Sequence, residues 1–233
     1  MYHSITLGTK NTWDDWHLIP ASRPLFNPPS VKTNYIEIPG ADGSLDVTTA
    51  IAGRPLFNNR TGSWSFYVEN GFKDWSVLYS EIMMYLHGQE MRAVLEDDAA
   101  YFYVGRFSVN QWKSDPGHSM IVINYNVDPY KYYSATDEDW LWDPFNFETG
   151  LIRYYKNLVV LNSLTVNVVG DIMETIPTIV CSTNTVSVTF DGITHQLVRG
   201  NNKFNDFVIS GDQNEFVFTG NGTISIDAVG GRL

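Results

Sequence analysis

A single cysteine, Cys181, in 233 residues excludes an internal disulfide and any cysteine-based metal cluster. It lies in the apolar run Ile179-Val-Cys181 and reads as a buried small hydrophobe. No window approaches the roughly 18–20 apolar residues of a membrane span. The opening residues, Met-Tyr-His-Ser-Ile, lack the basic-then-apolar order of a secretory leader. These absences predict a chain with no membrane partner, made in a cytoplasm, that can still leave the cell as part of a particle. Basic residues are scarce too: 15 Lys and Arg stand against 26 Asp and Glu, a formal charge of −11. Binding to a phosphate backbone needs Lys and Arg, so tight nucleic-acid binding is not expected.

The spacings that carry catalysis are also missing. There is no Gly-x-Ser-x-Gly elbow, no His-Glu-x-x-His, no Walker loop and no Gly-x-Gly-x-x-Gly. The five histidines, His3, His17, His87, His118 and His195, are scattered and none pairs with another at metal-ligand spacing. Acids cluster at Asp14-Asp15, Asp97-Asp98 and Asp137-Glu138-Asp139. Adjacent strand residues point to opposite faces, so such a pair is not the facing carboxylate couple of a glycosidase. Asp97-Asp98 reads as a turn. We therefore expect no enzyme, no cofactor and no metal.

What is present is β pattern and aromatic surface. Apolar residues make up 43% of the chain and aromatics 14%, enough for a core and for contact surfaces. Trp64, Phe66 and Val68 share one face by period-two alternation; so do Tyr101, Tyr103 and Phe107, and Val186, Val188 and Phe190. Asp42-Gly43, Asp191-Gly192 and Asn221-Gly222 lie between apolar runs and predict three hairpins. From Asp74 to His87, apolar residues at 75, 78, 79, 82 and 86 predict the one substantial helix, with Asp74 as N-cap and Gly88 as the left-handed stop. Met83-Met84-Tyr85 is open to two readings, an exposed contact patch or the filling of the helix–sheet seam, and the seam is the one expected. The composition shifts to Val, Thr, Asn and Ser after Gly150, and all seven tryptophans precede residue 143. This predicts a domain over 1–135, a linker over 136–149 and a compact β-sandwich over 150–233. The linker holds Asp139, Trp140, Trp142 and Asp143, which are open to three readings: an interdomain plug, a protein interface, or sugar stacking.

The N-terminal stretch Gly8 to Pro24 places Trp13 and Trp16 around Asp14-Asp15, large apolar surfaces beside charges. It is followed by Pro28-Pro29, Tyr35-Ile-Glu-Ile-Pro-Gly-Ala-Asp-Gly-Ser-Leu-Asp46 and Gly53-Arg-Pro-Leu-Phe-Asn-Asn-Arg60. Further on come Leu86-His-Gly88, Asp97-Asp98, Gly105-Arg106-Phe107 and Asp128-Pro-Tyr130. In this order the elements resemble the distal tail protein (Dit) family of long-tailed, non-contractile phages of Gram-positive bacteria. The resemblance covers residues 1–130; the remainder is similar in general character.

The resemblance implies a mainly β fold. Its parts would be an N-terminal β-sandwich with one α-helix and an extended β-hairpin arm, plus a small galectin-like C-terminal β-sandwich. It implies a virion structural protein at the tail tip, forming a hexameric ring, single or stacked back to back, with a central channel for DNA. Its partners would be further copies of itself, the tail tube protein, the tail-associated lysin or spike protein and receptor-binding protein. Residues 151–233 leave no room for an inserted carbohydrate module or a long C-terminal arm. A large ring interface draws on aromatic and Arg side chains. The subunit-interface candidates are thus Trp13, Trp16 and Arg23, and Arg54, Phe57 and Arg60 near the far end of an Ile38–Trp64 hairpin. An acidic lumen would repel passing DNA. The competing class is a glycan-binding β-sandwich module, resting on the Trp/Asp clusters; a hydrolase is the weakest reading.

Overall fold

The computed structural model describes residues 2–69, 74–114, 119–133, 155–211, 213–228 and 230–233. The chain divides into two compact units, 1–131 with Leu233, and 132–232. The expected linker, the Asp139–Asp143 aromatic-acid cluster and His118 lie outside the described residues.

The first unit opens with β1 (Ile5–Leu7), β2 (Lys10–Asn11) and β3 (Leu18–Pro20). A hairpin of β4 (Tyr35–Glu37) and β5 (Ser44–Asp46) follows, then β6 (Arg60–Val68), α1 (Trp75–Leu86), β7 (Glu90–Leu95), β8 (Tyr101–Ser114) and β9 (Ser119–Val127). Strand β10 (Lys131–Tyr133) spans the junction of the units. The main path of the sheet runs β2-β1-β7-β8-β9-β6-β3, with each of these pairs antiparallel. Period-two alternation sends one set of side chains inward: Trp64 and Phe66, Tyr103 and Phe107, Ile121, Ile123, Tyr125 and Val127. One residue too many between Val109 and Gln111 shifts the β8–β9 register. The bulge reverses the parity of β8, so Trp112 pairs with Ile121 and its ring lies 4.9 Å from Tyr79 and 5.9 Å from Trp75 on α1.

Helix α1 covers this face with Leu78, Ile82 and Leu86 fully buried, as the spacing predicts. Gly88 takes φ +77 just beyond it and donates its N–H to Phe107 O (2.7 Å), tying the helix end to β8. Asp74 occupies the N-cap position, but its side chain makes no capping bond, a departure from expectation. The Met83-Met84-Tyr85 seam is also split. Met83 and Tyr85 pack on the core, whereas Met84 is 87% exposed because it falls on the outer side of the helical wheel.

The second unit contains β11 (Leu158–Val168), β12 (Thr178–Cys181), β13 (Ser187–Phe190), β14 (Ile193–Gln196), β15 (Gly200–Asn202), β16 (Asn214–Asp227) and the short β17 (Gly231–Arg232). Strand β16 is its spine. Along one edge it pairs with β11 over eleven residues; along the other it pairs with β13 and then β12. The sheet encloses Val160, Val166, Val188, Phe216, Phe218, Ile224 and the buried Cys181. Asp191 (φ +48) and Gly192 (φ +77) form the expected two-residue turn between β13 and β14. Asn221-Gly222 does not form a hairpin: β16 runs straight through it. Its partners decide this, since Leu161 and Val160 of β11 pair with both residues. Gly220 (φ +126) supplies the bend where β16 changes partner from β13 to β12.

Candidate assembly surface

The segment Gly8–Pro24 is a bonded turn rather than a free docking strip. Asn11 Oδ1 accepts from the N–H groups of Trp13 and Asp14, Asp15 Oδ2 accepts from Asn11 N–H, and the His17 and Leu18 N–H groups donate to Trp13 O and Thr12 O. Lys10 Nζ donates to Asp15 Oδ1 at 2.8 Å; this bond and the Asn11 N–H hold the Asp15 carboxyl below its ordinary pKa. The turn separates the two tryptophans. Trp16 is fully buried in the core, its ring edge-on to Tyr85 at 5.6 Å. As an interface candidate it is therefore corrected to a core residue, since four residues of turn carry it onto the inner face of the sheet. Trp13 stays half-buried at the surface, stacked on Tyr2 at 3.8 Å.

Arg23 is exposed and its Nε donates to Asp97 Oδ2 (3.0 Å), which also meets His3 Nδ1 at 2.8 Å. Burial opposes ionisation of Asp97, but these two hydrogen bonds outweigh it and keep its pKa low. The acid lies in the short 3₁₀ turn Glu96–Asp98, in accord with its turn reading, and Asp98 accepts from Lys131 Nζ (2.7 Å).

The hairpin arm runs from Ser30 to Asn58. Its base is closed by the Val31–Phe57 bridge, by Lys32 N–H to Leu56 O, and by Asn58 N–H to Ser30 O. Its tip is Ile38–Gly43, where Gly40 and Gly43 take positive φ. Arg54, Phe57 and Arg60 therefore sit at or below the base, not near the far end, because the strand pairing closes at Glu37–Ser44. Arg54 and Phe57 are half-buried, and Phe57 meets Tyr130 edge-on at 6.1 Å. Arg60 is buried: its Nε donates to Pro129 O (2.8 Å), its Nη1 to Asn27 O (3.2 Å), and burial pulls its pKa down. It joins loops within the subunit, so it too is corrected from interface to interior.

The arm presents residues that the interface candidates omitted. Ile36 and Leu45 pair across the hairpin and are 50% and 51% exposed; Ile38, Tyr35 and Ile51 (95%) are exposed as well. Register puts Ile36 and Leu45 on one face and Tyr35, Glu37, Ser44 and Asp46 on the other. The signal was in the sequence: apolar residues flank Asp42-Gly43 on both sides, in a strand pair too short to reach a core. Among the described residues no three His, Cys, Asp or Glu side chains converge as a metal site.

No protein-family model matches the chain. No curated protein matches it either. Among solved structures, the crystal structure of the SPP1 Dit (gp 19.1) protein superposes with a TM-score of 0.62, covering 99% of this chain and 99% of that one at 15% identity. The chain has the Dit fold. That protein is described as a paradigm of the hub adsorption apparatus in phages infecting Gram-positive hosts. The Dit likeness extends through the second unit, where sequence character alone was general. At this identity the two share backbone architecture, and the surfaces above are this chain's own.

Proposed function

We propose that this protein is a structural subunit of a phage tail tip, a hub rather than an enzyme. In this reading residues 1–135 build a hexameric ring around a DNA channel, residues 136–149 link, and residues 150–233 form an outer sandwich. One ring face meets the tail tube protein and the other the tail-associated lysin or spike, with receptor-binding protein as a further partner. The observation that carries the reading is the arm. Ile36, Ile38 and Leu45 form an apolar strip on a hairpin with no core of its own. A two-stranded hairpin gains independent stability only when that face is packed against something else. A neighbouring copy in a closed ring supplies that packing six times over. The Dit fold gives the architecture in which such a ring is built.

The test is native mass by light scattering, followed by electron microscopy. Six copies of 26.4 kDa, or twelve, around a central hole are expected. The double variant Ile36→Asp/Leu45→Asp places two carboxylates in the packed strip and should reduce the particle to free subunits at micromolar concentration. A ring that survives this variant unchanged would refute the role given to the arm. Of the six original candidates, Trp13, Arg23, Arg54 and Phe57 keep side chains at or near the surface and remain proposed contacts.

A further inference from the structure

Strand β11 is an anomaly among the sheet edges. Natural sheets blunt their edges by shortness, charge or proline, because an open edge pairs with any strand it meets. The other edges here follow that rule: β2 has two residues, β3 has three and ends in Pro20, β15 has three and β14 four. Strand β11 is eleven residues long and, among the described residues, has β16 as its one sheet partner. Its sequence, Leu-Val-Val-Leu-Asn-Ser-Leu-Thr-Val-Asn-Val, contains no charge and no proline in a chain of net charge −11. Val159 and Leu161 are 60% and 71% exposed upon it. Alternate residues of an antiparallel strand turn their N–H and C=O groups away from the existing partner, so this edge offers hydrogen-bonding groups on either side of Asn162, whose own N–H donates to Asn221 Oδ1 (3.2 Å). Asn162 (φ +65) bends the strand, but its direct partner Gly220 (φ +126) bends β16 with it and the register continues unbroken.

The strand is nearly its own complement. Read antiparallel about Ser163, Val160 meets Val166, Leu158 meets Val168, Leu161 meets Thr165 and Val159 meets Asn167. Apolar residues face apolar ones at the two buried-side pairs, Leu or Val meets Thr or Asn at the others, Asn162 with Leu164 among them, and no charges are opposed. Two acidic molecules repel least where both are neutral.

We propose that β11 pairs antiparallel with β11 of a second copy about a two-fold axis at Ser163, joining the second units of two subunits into one continuous sheet. The one two-fold of a closed ring of six is the ring axis itself and cannot pass through each β11, so the contact joins subunits of different rings, or two free subunits where no ring forms. It therefore does not depend on the arm.

Cross-linking tests the geometry directly. Directly opposed residues of an antiparallel pair have Cα atoms about 4.5–5.5 Å apart, within disulfide range. The full-length Ser163→Cys variant should form a covalent dimer on mild oxidation. Val159→Cys should not, because its two copies would lie about 26 Å apart along the paired strands. Cys181 is buried and stays silent. Ser163→Lys, at an exposed position, opposes two ammonium groups at the axis and should halve the native mass. Equal cross-linking of both cysteine variants, no cross-linking of Ser163→Cys, or a mass unmoved by Ser163→Lys would overturn the proposal. Combining Ser163→Cys with Ile36→Asp/Leu45→Asp separates the two readings: loss of the ring with the cross-link kept fails neither, whereas loss of the cross-link alone fails only this one.

Discussion

Trp16 is the largest fully buried side chain among the described residues, and its indole N–H has no hydrogen-bond partner among them. Trp16→Ala should cost about 3–5 kcal/mol in unfolding free energy, read by urea denaturation, and Trp16→Phe less, since the cavity is smaller and no hydrogen bond is lost. Trp13→Ala should leave stability within about 1 kcal/mol, because that ring is partly solvated and packs on the exposed Tyr2 rather than on the core. Asp97 gives a pH signature. Its folded pKa lies below the unfolded value, so its stabilisation is present above about pH 4 and is lost as pH falls through the folded value. Asp97→Asn should lower the melting temperature at pH 7, with the gap to the parent protein narrowing as pH falls below the ordinary carboxylate range.

At the scale of elements, β16 shows how a local turn signal is overruled. A Cβ on Gly220 would collide with Thr185 O, and φ there is +126. Gly220→Ala should therefore destabilise the second unit by more than the roughly 1 kcal/mol of a simple glycine replacement. Hydrogen exchange should show the loss in β12, β13 and β16 first. Helix α1 illustrates the opposite case. Its stripe of Leu78, Ile82 and Leu86 is legible at period 3.6 and is the stripe that packs. The cap residue was legible as well, but the Asp74 carboxylate makes no hydrogen bond to the first N–H groups. The arm lies between these cases: its turn and strands were written in Asp42-Gly43 and the flanking apolar runs, whereas its length and the position of its base depended on the Val31–Phe57 closure.

For the whole molecule, the two cores are separate clusters, one under α1 and one around Phe216 and Phe218. Core truncation in one unit should lower protection chiefly in that unit, because additivity holds for sites without shared partners. The net charge of −11 predicts no retention of duplex DNA at physiological salt, checked by filter binding with the assembled particle. Tight binding would refute the expectation of an acidic lumen that repels passing DNA.

The sequence by itself determined the mainly β class, helix α1, the Asp191-Gly192 turn and the burial of Cys181. Each of these rests on periodicity or on φ preferences that act within a few residues. Which tryptophan of Trp13 and Trp16 would enter the core, whether Arg60 would face a neighbour or Pro129, and whether Asn221-Gly222 would turn or continue were decided by tertiary structure. In each case the local chain permits both outcomes at similar cost. The choice falls to partners distant in sequence: Tyr85 against Trp16, the Pro129 carbonyl against Arg60, and the eleven paired residues of β11 against β16.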